Sequence, residues 1–192
     1  FSNMTYGNSF YQPMLEVFEY LEANDFTYYV VSGSDRFICR SLVESISIPS
    51  NRVIGMDVEL VSSKQGDNAG VNYTCGVDET LIRTDNLLIK NLKTNKVKQI
   101  AQEIGKVPVL SFGNSGGDSA MHNYCLSNSY KSAAFMLVAD DDVRDHARKY
   151  VTSEDDVHLE TDEEFQARID KLNSDWENAS YHVISMKDDF KT

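Results

Sequence analysis

The chain has 192 residues, 41% of them hydrophobic, and a net charge of −12 at neutral pH, enough for one globular domain with a full core. No Lys/Arg run offsets that charge, which argues against a nucleic-acid or acidic-membrane surface, and no apolar stretch approaches the ~18 residues of a membrane span. Cys39, Cys75 and Cys125 are odd in number and lack CxxC spacing, so they read as packing or free thiols, not as a disulfide framework or zinc site.

Pro13 suits the first turn of a helix. Met14, Val17, Phe18 and Leu21 then recur at helical spacing, and Asn24 can end the helix. Phe26 to Val31 is β-rich and runs into Ser32-Gly33-Ser34. Phe37, Ile38, Leu42 and Ile46 mark the buried face expected of the next helix. After Pro49, Arg52 to Met56 reads as a short parallel strand, and alternation at Val58 and Leu60 as a half-exposed one. Residues 62–80 are rich in Gly, Asn, Asp and Ser and read as a surface excursion. Leu81 to Lys90 is again strand-like. Val97, Ile100, Ala101 and Ile104 form a helical pattern with Lys96 at its start and Gly105 at its end. Val107 to Phe112 and Ala133 to Val138 read as strands, Phe165, Ile169 and Leu172 as an amphipathic helix, and Tyr181 to Met186 as a last strand. Strand alternating with helix predicts an α/β fold with a parallel, three-layer, Rossmann-like sheet.

The segment SFGNSGGDSAM, Ser111 to Met121, follows a strand and opens a helix. That places polar side chains at the carboxyl end of a strand, where open α/β sheets put their ligands. Asn114 and Asp118 offer the oxygen ligands that Mg²⁺ prefers. A Gly-rich turn with Asp118 capping the next helix would have the same sequence. The Asp140-Asp141-Asp142 run reads as solvated, with one acid able to approach that loop. His122, His146, His158 and His182 read as surface or packing residues, and Trp176 as packing. Three Asn-x-Ser/Thr triplets, at Asn3, Asn72 and Asn178, read as chance matches.

Ser32 at a strand end, Lys96 at a helix start and the GNSGGD loop occur in the order found in the haloacid dehalogenase-like (HAD) phosphatase superfamily. The chain resembles its phosphoserine-phosphatase-like branch, and most closely bacterial members reading VSG…GNSxGD with a terminal SMKxDW/F. Here the ending is Ser185-Met186-Lys187-Asp188-Asp189-Phe190. The resemblance runs from about Phe10 to Thr192. It implies phosphate binding by Ser32 with the backbone N–H groups of Gly33 and Ser34, a catalytic positive charge on Lys96, and Mg²⁺ at Asn114 and Asp118. Lys93 and Lys98 are rivals to Lys96 by spacing. Many relatives carry Asp where Asn114 stands, so one negative charge is missing from the expected metal site.

The family's amino-terminal DxDxT strand, which carries the nucleophilic Asp and the general acid/base, has no counterpart among the 192 residues. Asp85 follows an apolar run but lacks a second Asp two residues on. The expectation is therefore a carboxyl-terminal part of a longer protein. Residues 1–12 would end a helical cap and linker, and 13–192 would form the HAD-like core. The central first strand and most of the cap would lie upstream. The implied function is an Mg²⁺-dependent phosphomonoester hydrolase acting through an aspartyl-phosphate, with a small phosphorylated substrate and the upstream fragment as partners. The alternative is a non-catalytic phosphate- or metal-binding module that has lost the DxD strand.

Overall fold

The computed structural model describes residues 9–64, 79–153 and 156–190. The core of the expected 62–80 excursion, most of the expected cap remnant, Cys75, Asn3 and Asn72 lie outside the described residues. The chain divides into two compact units, Phe1–Gln99 and Ile100–Thr192. Each is a mixed α/β assembly with parallel strand pairing.

In the first unit, α1 (Gln12–Ala23) starts with Pro13 in its first turn and is capped by Asn24. β1 spans Val30–Asp35, later than the expected 26–31, because main-chain pairing begins at Val30 opposite Val53. Phe26 and Tyr29 stay exposed before it. The Ser32-Gly33-Ser34 segment is thus the irregular end of the strand, not a loop beyond it. Asp35 ends β1 and caps α2 (Arg36–Glu44), accepting from the N–H of Phe37 and Ile38 at 2.9 and 3.2 Å. The buried face of α2 is Cys39 and Val43, and Ile38 points outward at 56% exposure. Of the expected Phe37/Ile38/Leu42/Ile46 stripe, Ile46 packs against these buried residues and Ile38 does not. Cys39 and Val43, with Ile48 and Val53, meet Phe18, Tyr28 and Val30 to form the core.

The two strands expected at 52–60 are one, β2 (Val53–Ser62). Its first residues pair parallel to β1. Its second half pairs antiparallel to β3 (Leu81–Ile89), giving the order β1-β2-β3. Arg36 holds this junction, donating from two nitrogens to the Asp57 carboxylate at 2.8 and 2.6 Å. The boundary between the units falls in α3 (Thr94–Glu103), after which Gly105 takes a left-handed φ of +68°.

In the second unit, β4 (Leu110–Gly113), β5 (Ala133–Val138) and β8 (His182–Ser185) form a parallel sheet in the order β4-β5-β8. β4 starts later than Val107 because the carbonyls of Val107 and Pro108 accept from the Asn128 amide. Alternate residues of β5, Ala134, Met136 and Val138, are buried against Leu126, Phe165, Ile169, Trp176 and Tyr181. These packing residues come from α4 (Ser119–Leu126), α5 (Asp162–Asn178) and the residue before β8. On alternate positions the rings of Phe112, Phe135 and His182 stack across the three strands, with centroids 4.8 and 5.1 Å apart. α5 begins at a reciprocal Thr161–Glu164 capping box with three acids in its first turn. A short antiparallel ribbon, β6 (Tyr150–Thr152) and β7 (Val157–Leu159), precedes it.

The Asp140-Asp141-Asp142 run is not solvated as expected. Asp140 accepts from Ser185 Oγ at 2.6 Å and from the Lys187 N–H at 2.9 Å. Asp141 is buried, accepts from the N–H of Val143 and Arg144, and pairs with the Arg144 guanidinium. Asp142 pairs with Arg148 at 2.7 Å. Asp140, and Asp141 through Arg144, thereby lock α6 (Met186–Asp189), the terminal motif, onto the end of β5. Arg144 completes the lock by donating to the carbonyls of Met186, Lys187 and Phe190.

Candidate functional site

Two groups of the expected residues are each built as a local cluster. In the first unit, Lys96 is not a solvated helix-start lysine. It is 8% exposed, and its Nζ donates to the Val31 carbonyl at 2.7 Å. Its rivals Lys93 and Lys98 are exposed. The contact spans 65 residues of chain and sets the ammonium on the carbonyl that precedes Ser32, in the first half of β1. Ser32 Oγ accepts from the Ser34 N–H at 3.1 Å. A hydroxyl that accepts one hydrogen bond retains its proton for donation, so this bond leaves Ser32 able to donate. Gly33 fits under Leu92, whose Cδ2 would lie 2.3 Å from any added Cβ.

Sequence reasoning missed Asn91 here. It is fully buried, and its Nδ2 donates to the Ser32 carbonyl at 2.8 Å. Asn91 and Lys96 thus hold two consecutive carbonyls of β1. No pattern in Lys90-Asn91-Leu92-Lys93 marks Asn91, because its role rests on a contact 59 residues away.

In the second unit, Gly113 ends β4 and Gly116–Asp118 form a 3-10 turn into α4. Asp118 is buried, and its Oδ2 accepts from the N–H of Asn114 at 3.1 Å, the N–H of Ser115 at 3.2 Å and Ser115 Oγ at 3.3 Å. An added Cβ on Gly113 would meet Asp118 Cβ at 2.6 Å, so the carboxylate lies directly over the glycine. Asn114 is exposed and, among the described residues, its side chain makes no hydrogen bond. Behind the loop, Ser111 Oγ and the fully buried His122 Nδ1 are 2.6 Å apart, tying β4 to α4.

Both expected ligands are oxygen donors, as a hard cation requires. In donor chemistry the two residues therefore fit Mg²⁺, with Asp118 Oδ2 already engaged by three donors of its own loop. Among the described residues, no group of three or more His, Cys, Asp or Glu side chains is placed to hold a metal. The loop's internal bonds form a capping box that starts at Ser115; the alternative expected from sequence, Asp118 as the side-chain cap of α4, is not what forms, because its carboxylate turns back to Asn114 and Ser115.

The buried thiols fit a packing role. Cys39 and Cys125 are free, and burial pushes the Cys125 thiol up to about 11, leaving it protonated at neutral pH. Compared with protein-family models and with curated proteins, the chain matches none.

Proposed function

We propose that this chain is the carboxyl-terminal part of a HAD-like, Mg²⁺-dependent phosphomonoester hydrolase, with its nucleophilic Asp supplied by an upstream strand. The observation that carries the reading is the burial of Lys96 with its ammonium beside Ser32. A lysine ammonium is normally solvated, and a buried positive charge next to the Ser32-Gly33-Ser34 segment suits an anionic ligand. Ser32 would donate to a phosphoryl oxygen, with the Gly33 N–H as a further donor; the Ser34 N–H, also expected there, is engaged by Ser32 Oγ. Lys96 would stabilise the charge that develops on the transferring group. Asn114 and Asp118 would hold Mg²⁺, which when bound neutralises phosphoryl oxygens. Gly113 gives the Asp118 carboxylate its place over the loop. The reading requires an added strand. Among the described residues β1 pairs only with β2, and β4 only with β5, so each sheet has an open edge.

The test is to join the chain to its upstream coding segment and assay an aryl phosphate against Mg²⁺ concentration. The expected result is Mg²⁺-dependent turnover from the joined protein and none from the chain alone. An upstream segment without a DxDxT-like strand, or a joined protein that binds phosphate without turnover, favours the non-catalytic module. Robust turnover by the 192-residue chain, with its mass verified, overturns the assignment of the nucleophile.

A further inference from the structure

The β6–β7 ribbon carries two fasteners of opposite electrostatic character. Two-stranded ribbons are marginal in isolation, so what holds this one decides whether it stays formed. At its base, Lys149 and Glu160 exchange main-chain and carboxylate bonds, each at 2.9 Å. Arg168 grips both Glu160 oxygens at 2.6 and 2.8 Å, and Arg148 donates to the Glu160 carbonyl while pairing with Asp142 and Asp162. Arg168 holds the Glu160 carboxyl down at about 2, so the base stays ionised from mildly acid to alkaline pH.

The outer end has a different fastener. His158 on β7 places Nδ1 2.8 Å from Asp156 Oδ2, in the ribbon's own turn. It places Nε2 3.0 Å from Glu164 Oε2, on the first turn of α5. Across the ribbon, β6 faces His158 with the uncharged Val151. The nearby Asp162 and Glu160 are engaged by Arg148 and Arg168. A neutral imidazole can donate to only one of the two carboxylates; an imidazolium donates to both.

We propose that His158 is a proton-dependent clasp, its imidazolium bridging Asp156 of the ribbon to Glu164 of α5, and that loss of the proton frees the outer end of the ribbon while the Arg168–Glu160 base stays closed. The hydrogen bonds of Glu164 and then Asp156 raise the His158 pKa above its ordinary 6.5. The folded value lies above the unfolded one. The stabilisation is therefore complete below the ordinary imidazole value and is lost as pH rises through the folded value. Tyr150, Val157 and Leu159 are 73%, 64% and 48% exposed on this ribbon, so the clasp sets the mobility of an apolar strip in the neutral range.

The experiment is an NMR titration of the His158 ring on the full chain, with amide exchange of residues 149–160 corrected for the intrinsic effect of pH. The expected midpoint lies above 6.5. Opening of residues 151, 152, 157 and 158 should increase on deprotonation by about tenfold for each unit of that elevation. Lys149 and Glu160 should stay protected. His158→Gln should abolish the pH dependence, and Glu164→Gln, which keeps the capping-box acceptor but removes its charge, should lower the midpoint. A midpoint at or below 6.5, the same pH dependence in His158→Gln, no response to Glu164→Gln, or opening of base and tip together would overturn the proposal.

Discussion

The Ser32/Lys96 cluster and the Gly113–Asp118 loop are built on opposite plans. Lys96 and Asn91 reach back 65 and 59 residues to hold β1. Asp118 is held by donors three and four residues away. A loop closed on itself keeps its shape as long as its own few residues are right. A cluster closed across the fold depends on the packing between its parts, and each of its contacts contributes to folding as well as to a site.

The largest expected effect comes from Lys96→Ala in the joined, active protein. Losing the fixed charge should cut turnover by about 10²–10³. An exposed helix-start lysine would cost little in folding on removal. The buried Lys96 instead leaves the Val31 carbonyl without this donor, at a cost of about 1–3 kcal/mol. Parallel kinetics and denaturant melts separate the two. Near-normal turnover would remove the catalytic role from Lys96, and an unchanged melting curve would show that its bond to Val31 contributes nothing net.

Gly113→Ala should come next, at about 1–3 kcal/mol. Its added carbon lies within 2.9 Å of three Asp118 atoms, and that side chain is tied down by its own bonds. The same variant should raise the Mg²⁺ concentration needed for half activity in the joined protein. Asn91→Ala should destabilise by about 1–2 kcal/mol through the lost donor to Ser32, with no change in Mg²⁺ requirement. A shifted Mg²⁺ requirement there would show that the two clusters are not independent. Gly33→Ala should be mildest, under about 1 kcal/mol. Its clash is with the end of Leu92, a side chain 40% exposed and able to turn away. Chemical denaturation of Gly113→Ala and Gly33→Ala side by side gives the comparison directly.

The same contrast explains what could be read from sequence. The GNSGGD turn, the apolar run of β5 and the Phe165/Ile169 face of α5 are local patterns, and each is found where its composition, periodicity or turn chemistry placed it, although β5 buries only alternate residues. Lys96 was distinguishable from Lys93 and Lys98 only by resemblance, because its burial is decided by a distant strand. Asn91 carried no local signal. The α2 face was misjudged at Ile38, because the residues that meet the core of the first unit from this helix are Cys39 and Val43. The acidic run around Asp141 looked solvated because its partners, Arg144, Arg148 and Ser185, meet it only through turns and the last strand.

The lock on α6 has a consequence for synthesis on the ribosome. β5 is the central strand of its sheet, yet its second neighbour, β8, is made more than forty residues later. Until residues 182–190 emerge, one edge of β5 is open and the carboxylate of Asp140 lacks Ser185. The second unit therefore cannot close vectorially. Its sheet waits for its last strand, and a nascent chain paused before Tyr181 offers the backbone edge of β5 to any extended segment nearby.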